Sequence, residues 1–128
     1  MKSVLVVEDH IESMELAVCL LEKKGYTSEG ANDGEQALEL VDKYRFALIV
    51  LDMRLPKVDG FEVIQGLKRT LNSNTPVVVV TACIISENEK EFLEKNSIRY
   101  LLKPYNISQF YEATSFYLSD NVSASIRA

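Results

Sequence analysis

Five polar residues in this chain have the types and spacing to do chemistry: the acidic pair Glu8-Asp9, then Asp52, Thr81 and Lys103. Each follows directly on, or closes, a short apolar run. Three carboxylates brought into one place repel one another unless a cation lies among them. Oxygen-only ligands with room for water suit Mg²⁺, a small hard ion usually held by one or two carboxylates together with phosphate oxygens. A lysine set at the same rim faces these three acids. The chemistry indicated is the binding of a divalent cation such as Mg²⁺ in a ligand crevice.

For these residues to meet, the runs that precede them must be neighbouring strands with their carboxyl ends at one edge. Val4 to Val7 precedes Glu8-Asp9, Ala47 to Leu51 precedes Asp52, and Val77 to Val80 leads into Thr81. These runs are β-branched and aliphatic without polar alternation, as in strands covered on both faces of a parallel sheet. Thr27 to Ala31, diluted by Glu29 and Gly30, fits an edge strand, and Arg99 to Leu102 is a last short strand before Lys103-Pro104. Between them lie amphipathic patterns. Ile11, Met14, Leu16, Ala17, Leu20 and Leu21 mark a helix that ends at Gly25, and Ala37, Leu38, Val41 and Tyr44 mark a second. Phe61, Ile64, Leu67, Lys68 and Leu71 mark a third. Ser86 and Glu89 have capping-box spacing for a fourth over Glu87 to Lys95, which has only Phe92 and Leu93 to anchor it. A fifth runs from Ile107 to Leu118 and carries Phe110, Tyr111, Phe116 and Tyr117, more aromatics than one buried stripe needs: two suffice for the core, and the others leave two readings open, further core packing or a partner surface.

Strictly alternating strands and helices predict an α/β domain, a five-stranded parallel sheet between two helical layers, doubly wound in the order 2-1-3-4-5. In that order the first and third strands are adjacent, and the crevice at their carboxyl ends is the ligand site. A chain of 128 residues makes one domain, expected over 1–120, with a small polar tail over 121–128. The formal net charge of −5 and the absence of a Lys/Arg cluster argue against direct nucleic-acid binding. The apolar runs are too short for a signal peptide or a membrane span, and Cys19 and Cys83 match no metal or redox spacing. A cytoplasmic protein with reduced thiols is expected, with Cys19 in or near the core.

Taken in order, Glu8-Asp9, the strand-ending Asp52 followed by LPKVDG, Thr81-Ala82, and Tyr100-Leu101-Leu102-Lys103-Pro104 resemble the receiver domain of two-component response regulators, over essentially the whole chain. The resemblance implies a flavodoxin-like fold. It implies that Asp52 accepts a phosphoryl group from a histidine kinase or a histidine phosphotransfer protein. It also implies Mg²⁺ held by Asp9, Asp52 and the backbone carbonyl of Arg54, with Glu8 acting largely through water. Lys103, Thr81 and the backbone of Ala82 would bind the phosphoryl oxygens, and Thr81 with Tyr100 would form the switch that remodels the face of helix 4, strand 5 and helix 5. That face would meet a downstream partner, a fused output domain or a second copy of the chain. A cis Lys103-Pro104 bond is implied as well. The chemistry is consistent, since a carboxylate is a competent nucleophile toward an activated phosphoryl group. Such a domain is a signalling switch and not a metabolic enzyme, with self-phosphorylation and self-dephosphorylation as its only reactions.

Asn96-Ser97-Ile98 stands where relatives often have Gly-Ala, and Arg54 and Cys83 occupy the positions two beyond Asp52 and Thr81 that tune phosphoryl lifetime in the family. An aspartyl-phosphate phosphohydrolase also uses a strand-end Asp and Mg²⁺, but wants a second Asp where this chain has Arg54. No G-x-x-x-x-G-K-[ST] exists for a P-loop enzyme. A non-phosphorylated interaction module on the same fold is the remaining alternative. His10 is expected as an exposed first-turn residue.

Overall fold

Every strand is followed by a helix that returns the chain to the same end of the sheet. The computed structural model describes residues 3–82 and 84–118, so Cys83 and the tail expected from 121 lie outside the described residues. In chain order the elements are β1 (Ser3–Val7), α1 (Ile11–Lys23), β2 (Thr27–Ala31), α2 (Gly34–Lys43), β3 (Leu48–Leu51), α3 (Gly60–Leu67), β4 (Val77–Thr81), α4 (Glu87–Lys95), β5 (Arg99–Leu102) and α5 (Ile107–Leu118). The strands form one sheet in the order β2-β1-β3-β4-β5, all parallel, as the sequence predicts.

The period-2 alternation of strand side chains divides the core in two. Leu5, Val7, Ile49, Leu51, Val77 and Val79 face the layer of α2, α3 and α4. Val4, Val6, Leu48, Val50, Val78 and Val80 face α1 and α5. Burial of β1, β3 and β4 on both faces explains their unbroken apolar sequences. β2 and β5 are the edges and stay largely accessible.

Helix termini are set locally. Reciprocal capping boxes open α3 through Asp59 and Glu62 and α4 through Ser86 and Glu89, and Asn106 and Gln109 make the same exchange at the start of α5. At the end of α4 the Ile98 amide donates to the Leu93 carbonyl and the Ser97 amide to Glu94, with Ser97 at φ +57°. This is a Schellman termination in which serine takes the left-handed position that glycine usually fills. The substituted loop therefore keeps the standard helix ending. The Lys103-Pro104 bond is cis.

Four expectations are corrected. α3 ends at Leu67, because the amides of Lys68, Arg69 and Thr70 bond three residues back and the Thr70 hydroxyl takes the Leu67 carbonyl. Leu71 is therefore exposed. Cys19 is exposed as well, since α1 turns Ala17, Leu20 and Leu21 toward the sheet and position 19 points away. Ile11 and Leu16 lie outside that stripe and are solvent-facing, and Tyr44 ends α2 exposed.

The loop after α3 contains a structural centre that its polar sequence does not announce. Asn72 is fully buried. Its Nδ2 donates to the carbonyls of Val41 and Tyr44, both at 2.7 Å, and its Oδ1 accepts from the Phe46 amide at 2.8 Å and from the Thr75 hydroxyl at 2.9 Å. It ties the end of α2 to the entry of β3. Asn72→Ala strands several of these backbone groups, each costing about 1–3 kcal/mol when buried. A destabilisation of about 2–4 kcal/mol is expected in urea denaturation, and a loss under about 1 kcal/mol would show that water replaces the side chain.

Candidate functional site

The site residues stand just past the strand ends, and the sheet's own hydrogen bonding fixes them. The Glu8 amide donates to Ala31 of β2, the Asp52 amide to Val7 of β1, and the Lys103 amide to Thr81 of β4. Each side chain thus leaves a backbone position that is locked to a neighbouring strand, and the pairing of β1 with β3 sets Glu8-Asp9 beside Asp52. Carboxylate oxygens of Glu8, Asp9 and Asp52 all lie within 4.8 Å of one another. Glu8 and Asp52 are buried, while Asp9 is exposed at the mouth.

Lys103 reaches across from the end of β5. Its Nζ hydrogen-bonds Glu8 Oε2 directly and stands 3.5 Å from Asp52 Oδ2. The other oxygen, Asp52 Oδ1, accepts from the Arg54 amide at 3.0 Å. One carboxylate oxygen of Asp52 is therefore held by backbone and the other faces the ammonium. Burial pushes the Glu8 carboxyl above its usual range. The Lys103 hydrogen bond opposes this shift, and the charge of Asp52 adds to it. Tyr105, stacked on Phe110, is also raised, by burial first and then by Glu8.

Thr81 ends β4, buried, and Ala82 follows it exposed. Thr81 shares a narrow cleft with Met53, Arg54, Phe61, Ile85, Glu89 and Leu93. Tyr100 is half-buried against the same side of the core but does not line that cleft. His10 is exposed at the start of α1, where its amide donates to Glu8 Oε1. On α5, Phe110 is core and Tyr111 donates its hydroxyl to the Leu20 carbonyl, while Phe116 is exposed beneath the Arg99 guanidinium.

The loop from Met53 to Asp59 is pinned at both ends by ion pairs that sequence reading did not identify. Lys57, at φ +67°, lies 3.5 Å from Asp33 at the start of α2. That approach requires Gly34, since a Cβ there would sit 1.8 Å from the Val58 carbonyl oxygen. The Arg54 guanidinium makes a two-armed contact with Glu89 of α4, at 3.2 and 3.3 Å. The Ser86 amide and this guanidinium together hold the Glu89 carboxyl below its usual range.

The receiver-domain profile of response regulators matches residues 4–115. The polar-differentiation response regulator DivK of Brucella anthropi is 35% identical over 120 residues, covering 93% of this chain and 98% of that protein. The solved structure of the Vibrio cholerae chemotaxis protein CheY4 superposes with a TM-score of 0.81 at 28% identity, covering 91% of this chain and 98% of that one. The receiver domain of the sensor histidine kinase PA1611 from Pseudomonas aeruginosa, solved with magnesium in its active-site cleft, shares the fold at a TM-score of 0.80 and 24% identity, covering 91% and 97%.

Proposed function

We propose, because this chain belongs to the response regulator receiver family, that Asp52 is its phosphoacceptor and that the phosphoaspartate switches a partner-binding face. The chain is a receiver domain of two-component signalling, a class that works with histidine kinases and output partners and is not a metabolic enzyme. The observation that supports the acceptor is the placement of Asp52. It has one oxygen restrained by the Arg54 amide and the other turned to Lys103, inside the cluster with Glu8 and Asp9.

In the proposed reaction an Asp52 oxygen bonds to phosphorus as the N–P bond of a phosphohistidine breaks, and the imidazole leaves with its electron pair. Catalysis of this kind is mainly alignment and charge neutralisation. Lys103 supplies a fixed cation, and Thr81 with the Ala82 backbone supplies donors to the phosphoryl oxygens. The oxygen-only donor set fits Mg²⁺, with Asp9, Asp52 and the Arg54 carbonyl as ligands and Glu8 behind them. When bound, the ion neutralises charge on the transferring group. Arg54 in place of a second aspartate disfavours the phosphohydrolase reading. The family's setting is the cytoplasm; among the described residues no helix is long and apolar enough to cross a membrane.

The switch follows from the new acceptor oxygens. Each charge-assisted hydrogen bond from Thr81 is worth about 1.5–3 kcal/mol, comparable to the gap between two populated conformations. Thr81 and Tyr100 are the proposed moving pair. α4, with Leu93 its one buried residue, is the element that yields. Incubation with acetyl phosphate and Mg²⁺ followed by intact-mass measurement tests the acceptor reading, and no adduct from any donor would favour a non-phosphorylated interaction module.

The reading partner, or a second copy, is proposed to dock on α4, β5 and α5, where Phe116 is the exposed aromatic. Tyr111 is excluded from that surface by its packing on α1. Phe116→Ser is expected to weaken partner binding or phosphorylation-dependent self-association by about tenfold. It should cost under about 1 kcal/mol of stability, as Phe116 is 57% exposed. Sedimentation of the phosphorylated variant checks this, and undiminished association would remove Phe116 from the interface.

A further inference from the structure

We propose that the Arg54–Glu89 ion pair is a latch that holds α4 in its resting position, and that the phosphoryl group on Asp52 opens it by drawing the guanidinium away. The inference rests on Asp52 being the acceptor. Its resting half depends only on the geometry of the unmodified chain.

Arg54 joins the two ends of the device within one residue. Its amide hydrogen-bonds Asp52 Oδ1 at 3.0 Å, so its side chain starts beside the acceptor carboxylate. Its guanidinium engages both oxygens of Glu89, at 3.2 and 3.3 Å. Glu89 is not a passive surface acid. The same Oε1 that meets Arg54 accepts the Ser86 amide at 2.9 Å and closes the box that starts α4. The bridge therefore fastens the loop after β3 to the first turn of α4. The two residues also line the cleft that contains Thr81, so latch and threonine act on one space.

An exposed ion pair is usually a weak restraint, and here the two side chains are 43% and 22% accessible. Two features raise its influence. The contact is two-armed, the strong form of an Arg–carboxylate pair. The helix it restrains is lightly held, with Leu93 its one buried residue and Phe92 packed edge-on against Phe61. A small free energy is enough to bias an element so lightly anchored. Phosphorylation places a dianion next to the origin of the Arg54 side chain. A guanidinium matches phosphate as well as carboxylate in fork geometry, and the phosphoryl carries roughly twice the charge of Glu89. Movement of Arg54 to the phosphoryl group leaves the Ser86–Glu89 cap intact but unfastens α4 from the loop.

Amide hydrogen exchange across 87–95 in the full chain, read by mass spectrometry, separates latch from cap. Glu89→Gln keeps a carbonyl for the Ser86 amide and loses the charge pair; Glu89→Ala loses both; Arg54→Met loses the pair and leaves the Ser86–Glu89 cap in place. In the unmodified state Glu89→Gln and Arg54→Met should each exchange about threefold to fivefold faster than wild type, and the double variant no faster than either. Beryllofluoride with Mg²⁺ should speed exchange in the wild type to a similar level and add little in Glu89→Gln. The latch is overturned if Glu89→Gln matches wild type while Glu89→Ala alone is faster, or if beryllofluoride speeds wild type and Glu89→Gln equally. Intact-mass measurement of wild type after acetyl phosphate, and after a phosphohistidine donor, is run in parallel. Absence of an adduct from either donor overturns the acceptor assignment and the opened state with it, whereas an adduct without an exchange difference overturns the latch alone.

Discussion

Asp52→Asn is expected to reduce phosphoryl uptake from acetyl phosphate or a phosphohistidine donor to background. The fall should be at least about a thousandfold in rate, a barrier increase of more than about 4 kcal/mol. The amide is nearly isosteric, and its oxygen can still accept the Arg54 amide, so the loop after β3 keeps its anchor. What disappears is the anionic oxygen beside Lys103 that is proposed as the nucleophile. The substitution also removes one of the charges that push Glu8 upward, so the unmodified variant should be no less stable than wild type. Loss of uptake in a stable protein therefore reports chemistry and not unfolding. An adduct that persists in Asp52→Asn would move the acceptor to Asp9 or Glu8, the other carboxylates within reach.

Much of this arrangement is legible because a parallel sheet states itself in sequence. β1, β3 and β4 are apolar on both faces, so their runs are unbroken and their polar successors mark the rim where ligands collect. Once Glu8-Asp9, Asp52, Thr81 and Lys103 are each assigned to a strand end, the ladder brings them together. The apolar faces of helices are less legible. Ile11 and Leu16 fit a helical repeat as well as Ala17 and Leu20 do, and a few tens of degrees around the axis decide which are buried. Interactions between side chains distant in sequence leave no local mark. Arg54 and Glu89 are 35 residues apart, and nothing in either segment indicates the other. Asn72 sits in a polar loop whose composition fits a solvated turn, yet it is fully buried because the end of α2 and the entry to β3 need its donors and acceptor. Nor does sequence say which acid Lys103 chooses. The longer side chain of Glu8 reaches the ammonium, and Asp9 is left at the open mouth.

That choice sets the second large effect, the response to Lys103→Met. Methionine retains most of the apolar stem but removes the charge that lies against Glu8 and Asp52, whose side chains are 7% and 10% accessible. Taking one partner from a buried charge cluster typically costs about 3–5 kcal/mol. Here protonation of Glu8 and the open mouth at Asp9 relieve part of the strain, so a loss of about 2–4 kcal/mol is expected near neutral pH without divalent cation. The pH dependence has a definite sign. In wild type the folded Glu8 carboxyl already titrates above its ordinary 4.5, so its contribution is fully present below that value and is lost as pH rises through the raised folded value. Burial and Asp52 act upward, while the hydrogen bond and charge of Lys103 act downward. Without Lys103 the downward causes vanish, the folded value climbs further, and more stability is lost over a wider range on the alkaline side. The gap between variant and wild type should therefore be greatest near neutrality and close toward pH 4.5, where Glu8 is protonated in the variant's folded state. Mg²⁺ should narrow it at neutral pH by supplying positive charge to the same oxygens. Urea denaturation across that range, with and without Mg²⁺, measures all three trends. A gap that stays constant with pH would mean that the charge of Lys103 does not govern the titration of Glu8.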